Sequence, residues 1–153
     1  LRETYNKKVL SHKKFVFEYC TTSKKNVARG FHFQTKFQQA KYVSVLKGKI
    51  LDVVVDLRRN SKTFGKSFKI ILSGKNATSL YIPEGFGHAY YSFDKENIIY
   101  YKLSNYYKPR FENGIHVMDE DLNIRWPKKN ISLSKKDKKL MTFKLFCKTQ
   151  KFL

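Results

Sequence analysis

Three stretches concentrate side chains able to move protons or hold anions: Arg29-Gly-Phe-His-Phe-Gln34, Ile82-Pro-Glu-Gly-Phe-Gly-His88 and Tyr100-Tyr-Lys-Leu-Ser-Asn-Tyr-Tyr107. His32 and His88 carry imidazoles that titrate near neutrality, so each can take or return a proton at physiological pH. In the second stretch Pro83 fixes one φ angle and glycine permits a positive φ. Strand alternation then aims His88 into or out of a barrel. By residue type alone, His32 also reads as a satisfied core histidine.

Rigid elements must position these groups, and the chain is a succession of short β-type runs separated by turn signals. Residues 14–20 alternate and are β-rich. Residues 41–46 and 50–56 flank Lys47-Gly48-Lys49, a pattern that predicts a hairpin. Further runs cover 67–72, 79–82, 88–93 and 98–103. Strands at this spacing point to an all-β sandwich or barrel, not to βαβ units. Two segments have helical character. Residues 1–10 carry it weakly. Residues 134–146 carry it better, with Ser134 as a cap and Leu140, Phe143 and Leu145 or Phe146 on one face.

At 153 residues the chain is long enough for one domain with a real core. Its 13 Phe and 10 Tyr favour strands and supply flat surfaces for stacking. The net charge of +20 would suit nucleic acid. However, the excess is scattered Lys, with Arg only at 2, 29, 58, 59, 110 and 125. Readers of bases and phosphates lean on the bidentate Arg fork, so we read the charge as a solvated surface that draws in anionic substrates. Cys20 and Cys147 lie far apart and in no C-x-x-C spacing, which fits a reducing cytoplasm. No apolar run is long enough to span a bilayer as a helix, and no signal peptide opens the chain. Neither nucleic acid nor a membrane is expected as a partner, and nothing is assigned to His12 or His116.

Pro83-x-Gly85-x-x-His88 resembles the second motif of cupin barrels. In metal-binding cupins the first motif supplies H-x-H and a Glu, whereas here it reads His32-Phe-Gln34. A metal wants three or four ligands, and only His32 and His88 can be assembled, so no metal is expected. Six motifs follow in order: Arg29-Gly-Phe-His-Phe-Gln34, Asp52-Val-Val-Val-Asp-Leu-Arg58, Ser61-Lys-Thr-Phe-Gly65, Ile82-Pro-Glu-Gly-Phe-Gly-His88, Tyr101-Lys-Leu-Ser-Asn-Tyr-Tyr107 and Trp126-Pro127. Together, over residues 23–140, they resemble the dTDP-4-dehydrorhamnose 3,5-epimerase family.

The resemblance implies a cupin-type jelly-roll sandwich spanning residues 1–153, with a short C-terminal helix carrying Asp137 over the mouth. It implies a homodimer acting on a nucleotide sugar without a cofactor. His32 is then the base that removes a proton beside a ketone, and Asp137 fixes its tautomer. Lys41 holds the developing oxyanion, and Tyr101 reprotonates carbon from the opposite face. Arg29 and Lys136 are candidates for the diphosphate, and Tyr106 or Tyr107 for the base or sugar. His88 and Gln34 complete the substrate-binding set. Without the resemblance, Asp137 reads as a solvated carboxylate at a helix start, Arg29 and Lys41 as surface charges, and Tyr106 and Tyr107 as structural aromatics.

Two departures stand out. Family members carry an earlier segment with a G-F-F-x-E motif that is absent here, so the chain reads as part of a longer protein or as a shortened relative. In the strand before His32, Phe17 and Tyr19 replace a Gln and an Asn of the family pattern, which points to altered reading of the nucleotide. Alternatives to the double epimerase are a C3-only epimerase on another nucleotide sugar and a non-catalytic barrel that binds one.

Overall fold

The computed structural model describes residues 1–11 and 13–149, so His12 lies outside the described residues. Nine strands among them form two antiparallel sheets: β1 (Phe17–Ser23), β2 (Ala28–Gln34), β3 (Lys41–Lys47), β4 (Lys49–Asp56), β5 (Ser67–Ser73), β6 (Ser79–Ile82), β7 (Phe86–Ser92), β8 (Asn97–Leu103) and β9 (Glu112–Gly114). One sheet has the order β1-β8-β3-β6 and the other β5-β4-β7-β2-β9. The all-β sandwich of the sequence reading is the observed fold.

The side-chain alternation explains why β4 reads as an almost unbroken apolar run. Ile50 and Val54 face the space between the sheets with Val43, Val45, Ile99 and Leu72. Val53, Val55 and Leu57 face a second core on the outer side of the five-stranded sheet. The C-terminal part of the chain covers that outer face through Ile115, Val117, Leu122 and Phe146. A sheet buried on both faces needs apolar residues at odd and even positions alike.

Three local expectations give way to tertiary structure. The runs 41–46 and 50–56 do not pair as a hairpin, because β3 bonds to β6 and β8 while β4 bonds to β5 and β7. Gly48, at φ +82°, turns the chain from one sheet into the other, and a Cβ there would lie 2.5 Å from the Glu96 carbonyl oxygen. The helix expected over 134–146 is instead a 3-10 turn, Asp137–Lys139, followed by α1, Phe143–Thr149. Between them Met141 is held extended by a bridge to Ile115 and by the His116 N–H donating to its carbonyl. Asp137 therefore sits on the turn and not on an α-helix. Residues 1–10 form no helix. Arg2 reaches the Val45 carbonyl, and the Tyr5 ring packs edge-on against Phe15 and Tyr42.

Candidate active site

Where the interior positions turn from apolar to polar, the sheets enclose a cavity of about 210 Å³ whose lining includes Tyr19, Arg29, His32, Lys41, His88 and Tyr101. A smaller hollow of about 80 Å³ continues past His32 and Lys41 to Gln34, Tyr107 and Glu112. An apolar hollow of about 250 Å³ adjoins through Tyr19, with Phe17, Gln39, Leu103 and Tyr107 in its wall.

His32 reaches this cavity because β2 is not a regular strand. Its pairing with β7 shifts register between Arg29 and His32. Gly30 lies in that irregularity at φ +116°, and a Cβ there would meet the His88 carbonyl oxygen at 2.4 Å. A regular strand would put Arg29 and His32, three positions apart, on opposite faces. The bulge brings both to the cavity, while Ala28, Phe31 and Phe33 pack into the outer core.

His32 Nε2 lies 2.5 Å from Asp137 Oδ1. Asp137 is buried, and its second oxygen accepts from Ser134 Oγ at 2.7 Å while its own N–H donates to that oxygen. Burial pushes the Asp137 carboxyl up, but pairing with His32, Ser134 and the Gly30 N–H holds it below its ordinary value. Burial in turn pushes His32 down. The Asp137 and Glu112 carboxylates outweigh it and raise the imidazole above its usual range.

Lys41 Nζ donates to the His32 carbonyl at 3.2 Å. Burial pushes its ammonium down to about 8, against the pull of Asp52 and Glu112. Tyr101 stands on β8, in the sheet opposite His32, stacked on Tyr19 with ring centroids 4.9 Å apart. Burial raises its phenol well above the ordinary value, so the phenol keeps its proton. His88 Nε2 pairs with Asp52 Oδ2 at 2.8 Å, and both side chains are buried.

Of the residues singled out in the sequence, Arg29, His32, Lys41, His88 and Tyr101 share the main cavity, and Asp137 supports His32 from behind. Gln34 borders the smaller hollow with its amide committed: it donates to the Phe37 carbonyl and accepts the Lys108 N–H. Tyr107 borders the smaller hollow, whereas Tyr106 is exposed at its side. Lys136 pairs with Glu112. Sequence reading gave no role in the site to Asp52, Tyr90 or Glu112. Asp52 is visible as a carboxylate inside the apolar run 50–55. Glu112 had no local signal. Among the described residues no group of three His, Cys, Asp or Glu side chains is arranged to hold a metal ion.

The family model described as dTDP-4-dehydrorhamnose 3,5-epimerase matches residues 1–144. The chain belongs to this epimerase family. This epimerase is 37% identical over 143 residues to the dTDP-4-dehydrorhamnose 3,5-epimerase of Methanothermobacter thermautotrophicus, covering 89% of this chain and 77% of the relative. Among solved structures, it is similar to the dTDP-6-deoxy-D-glucose-3,5-epimerase of Legionella pneumophila in complex with dTDP-4-keto-L-rhamnose. That match has 39% identity and a TM-score of 0.86 over 91% of this chain and 75% of that one. It is also similar to a 3'-monoepimerase from Streptomyces bikiniensis in complex with dTDP-quinovose, at 27% identity and a TM-score of 0.90 over 95% and 77% of the two chains. The cupin-type jelly-roll expected from the motifs is the fold these epimerases share, and this epimerase is accordingly an isomerase.

Proposed function

We propose that this epimerase inverts C3 and C5 of a dTDP-4-keto-6-deoxyhexose, with His32 removing each α-proton and Tyr101 returning one from the other side. The observation that carries this reading is the pairing of His32 with buried Asp137 on one wall of a cavity whose facing wall holds Tyr101. Inversion at carbon needs a base and an acid on opposite faces of the ring, and the two sheets supply one each.

A proton α to a ketone is acidic because the enolate spreads its charge onto the carbonyl oxygen. Lys41, buried and cationic near neutrality, is suited to meet that oxygen, and a preorganised donor of this kind contributes about 3–4 kcal/mol to transition-state stability. Arg29, at the exposed edge of the cavity, suits a diphosphate. Phe17, Tyr19 and Tyr107 offer rings to the nucleoside. The dTDP-sugar complexes of the Legionella and Streptomyces proteins support the choice of substrate.

β1 is an edge of its sheet with Phe17 and Tyr19 partly exposed, which supports a homodimer that covers it. The two free cysteines support a cytoplasmic location. Likeness to the 3'-monoepimerase favours inversion at C3 alone as the second reading. Solvent deuterium exchange followed by NMR separates the two on a dTDP-4-keto-6-deoxyglucose substrate. We expect label at C3 and C5 that vanishes in His32→Ala. Label at C3 alone would establish the second reading, and no label from folded protein would overturn both.

A further inference from the structure

We infer that Glu112 is a positioning residue for the His32 base, fixing the imidazole plane from its outer nitrogen in the hollow that both share with Lys41. The inference rests on the proposed role of His32. Glu112 opens β9, the short edge strand that pairs with β2, and its side chain is largely buried. Its Oε1 lies 3.4 Å from His32 Nδ1, on the side of the ring away from Asp137. Its Oε2 accepts from the Tyr107 hydroxyl and from Lys136 Nζ.

A ring bonded at one nitrogen can still swing about that contact. The second carboxylate limits the swing without capturing Nδ1, since 3.4 Å exceeds an ordinary N–H···O bond. Nε2 is occupied by Asp137, so Nδ1 is the nitrogen open to a carbon-bound proton. Glu112 then lies where it can stabilise the imidazolium as it forms. Its carboxyl is pushed up by burial but held down to about 2 by His32, Lys136 and Tyr107, so it stays ionised throughout the working range.

The bland alternative makes Glu112 a brace that ties Tyr107 and Lys136 to the sheet. Glu112→Gln separates the two, because the amide keeps the size and an accepting oxygen but removes the charge. Other charged and titratable groups also face His32. Asp137 raises the imidazole, Lys41 lowers it, His88 is tied to Asp52, and the Tyr101 phenol keeps its proton. Glu112 also raises Lys41. Removing its charge therefore lowers two groups together, the base that must be deprotonated and the ammonium that must be protonated.

The test compares the pH dependence of kcat/KM for the parent, Glu112→Gln and Glu112→Asp, with His32 titrated by ¹⁵N NMR. We expect both limbs of the bell to move to lower pH in Glu112→Gln, by about one unit, and to stay near the parent's in Glu112→Asp. A Glu112→Gln profile with unmoved limbs, while His32→Ala is inactive, overturns this inference alone. Persistent deuterium exchange in His32→Ala overturns the role of His32 and this inference with it. If the Gln variant fails to fold, the parent's titration still decides: a His32 midpoint at or below the ordinary value of about 6.5 overturns the inference.

Discussion

His32 Nε2 and Asp137 Oδ1 are 2.5 Å apart in space and 105 positions apart in the chain. One group sits on a bulged central strand and the other on a 3-10 turn held by Ser134, so the contact is assembled by packing. In the proposed mechanism the carboxylate on Nε2 sets the tautomer and leaves Nδ1 to take the substrate proton. Asp137→Asn should lower kcat on the order of 10²–10⁴-fold, measured as epimerised product per enzyme, with little change in near-ultraviolet dichroism.

The same pair makes stability depend on pH. His32 is raised in the fold, so its contribution is full below its unfolded value and fades as pH rises through the folded one. Asp137 is lowered, so its contribution is present above its unfolded value and fades as pH falls through the folded one. Both are charged and paired between about pH 4 and 6.5. Urea denaturation of the parent and of Asp137→Asn should differ most inside that window and converge on either side.

In the proposed mechanism Lys41 sets the alkaline side of activity. With its ammonium pushed down to about 8, kcat/KM should fall as pH rises through that value. Lys41→Met should remove that limb and cost on the order of 10²–10³-fold at the optimum. A pH–rate series on both proteins checks this.

In the proposed mechanism Tyr101→Phe removes the acid and leaves the base. Substrate carbon should still exchange deuterium with solvent, because abstraction and return by His32 need no inversion. The inverted product should form about 10²-fold or more slowly. NMR of one reaction in deuterated water reads both quantities.

The buried Asp52–His88 pair predicts a stability effect. Asp52 Oδ1 has no hydrogen-bond partner even in the parent, so the pair already carries an uncompensated lone pair. Asp52→Ala would strip buried His88 of this carboxylate and should cost about 3–5 kcal/mol, measured by denaturant titration.

The sequence by itself determined the β-rich architecture, the family and the identity of most cavity residues. Period-two alternation and turn residues are local signals, and motifs such as Arg29-Gly-Phe-His-Phe-Gln34 keep their order whatever the packing. Only the tertiary structure decided which sheet each strand joins, because hydrogen-bond partners lie far along the chain: β3 and β4 read as a hairpin yet part at Gly48. It also decided that Asp137 is a buried partner of His32 and not a solvated carboxylate at a helix start. Glu112 joined the site for the same reason. A carboxylate in a short edge strand has no periodic or motif signature, and what it does depends on the imidazole that the Gly30 bulge turns toward it.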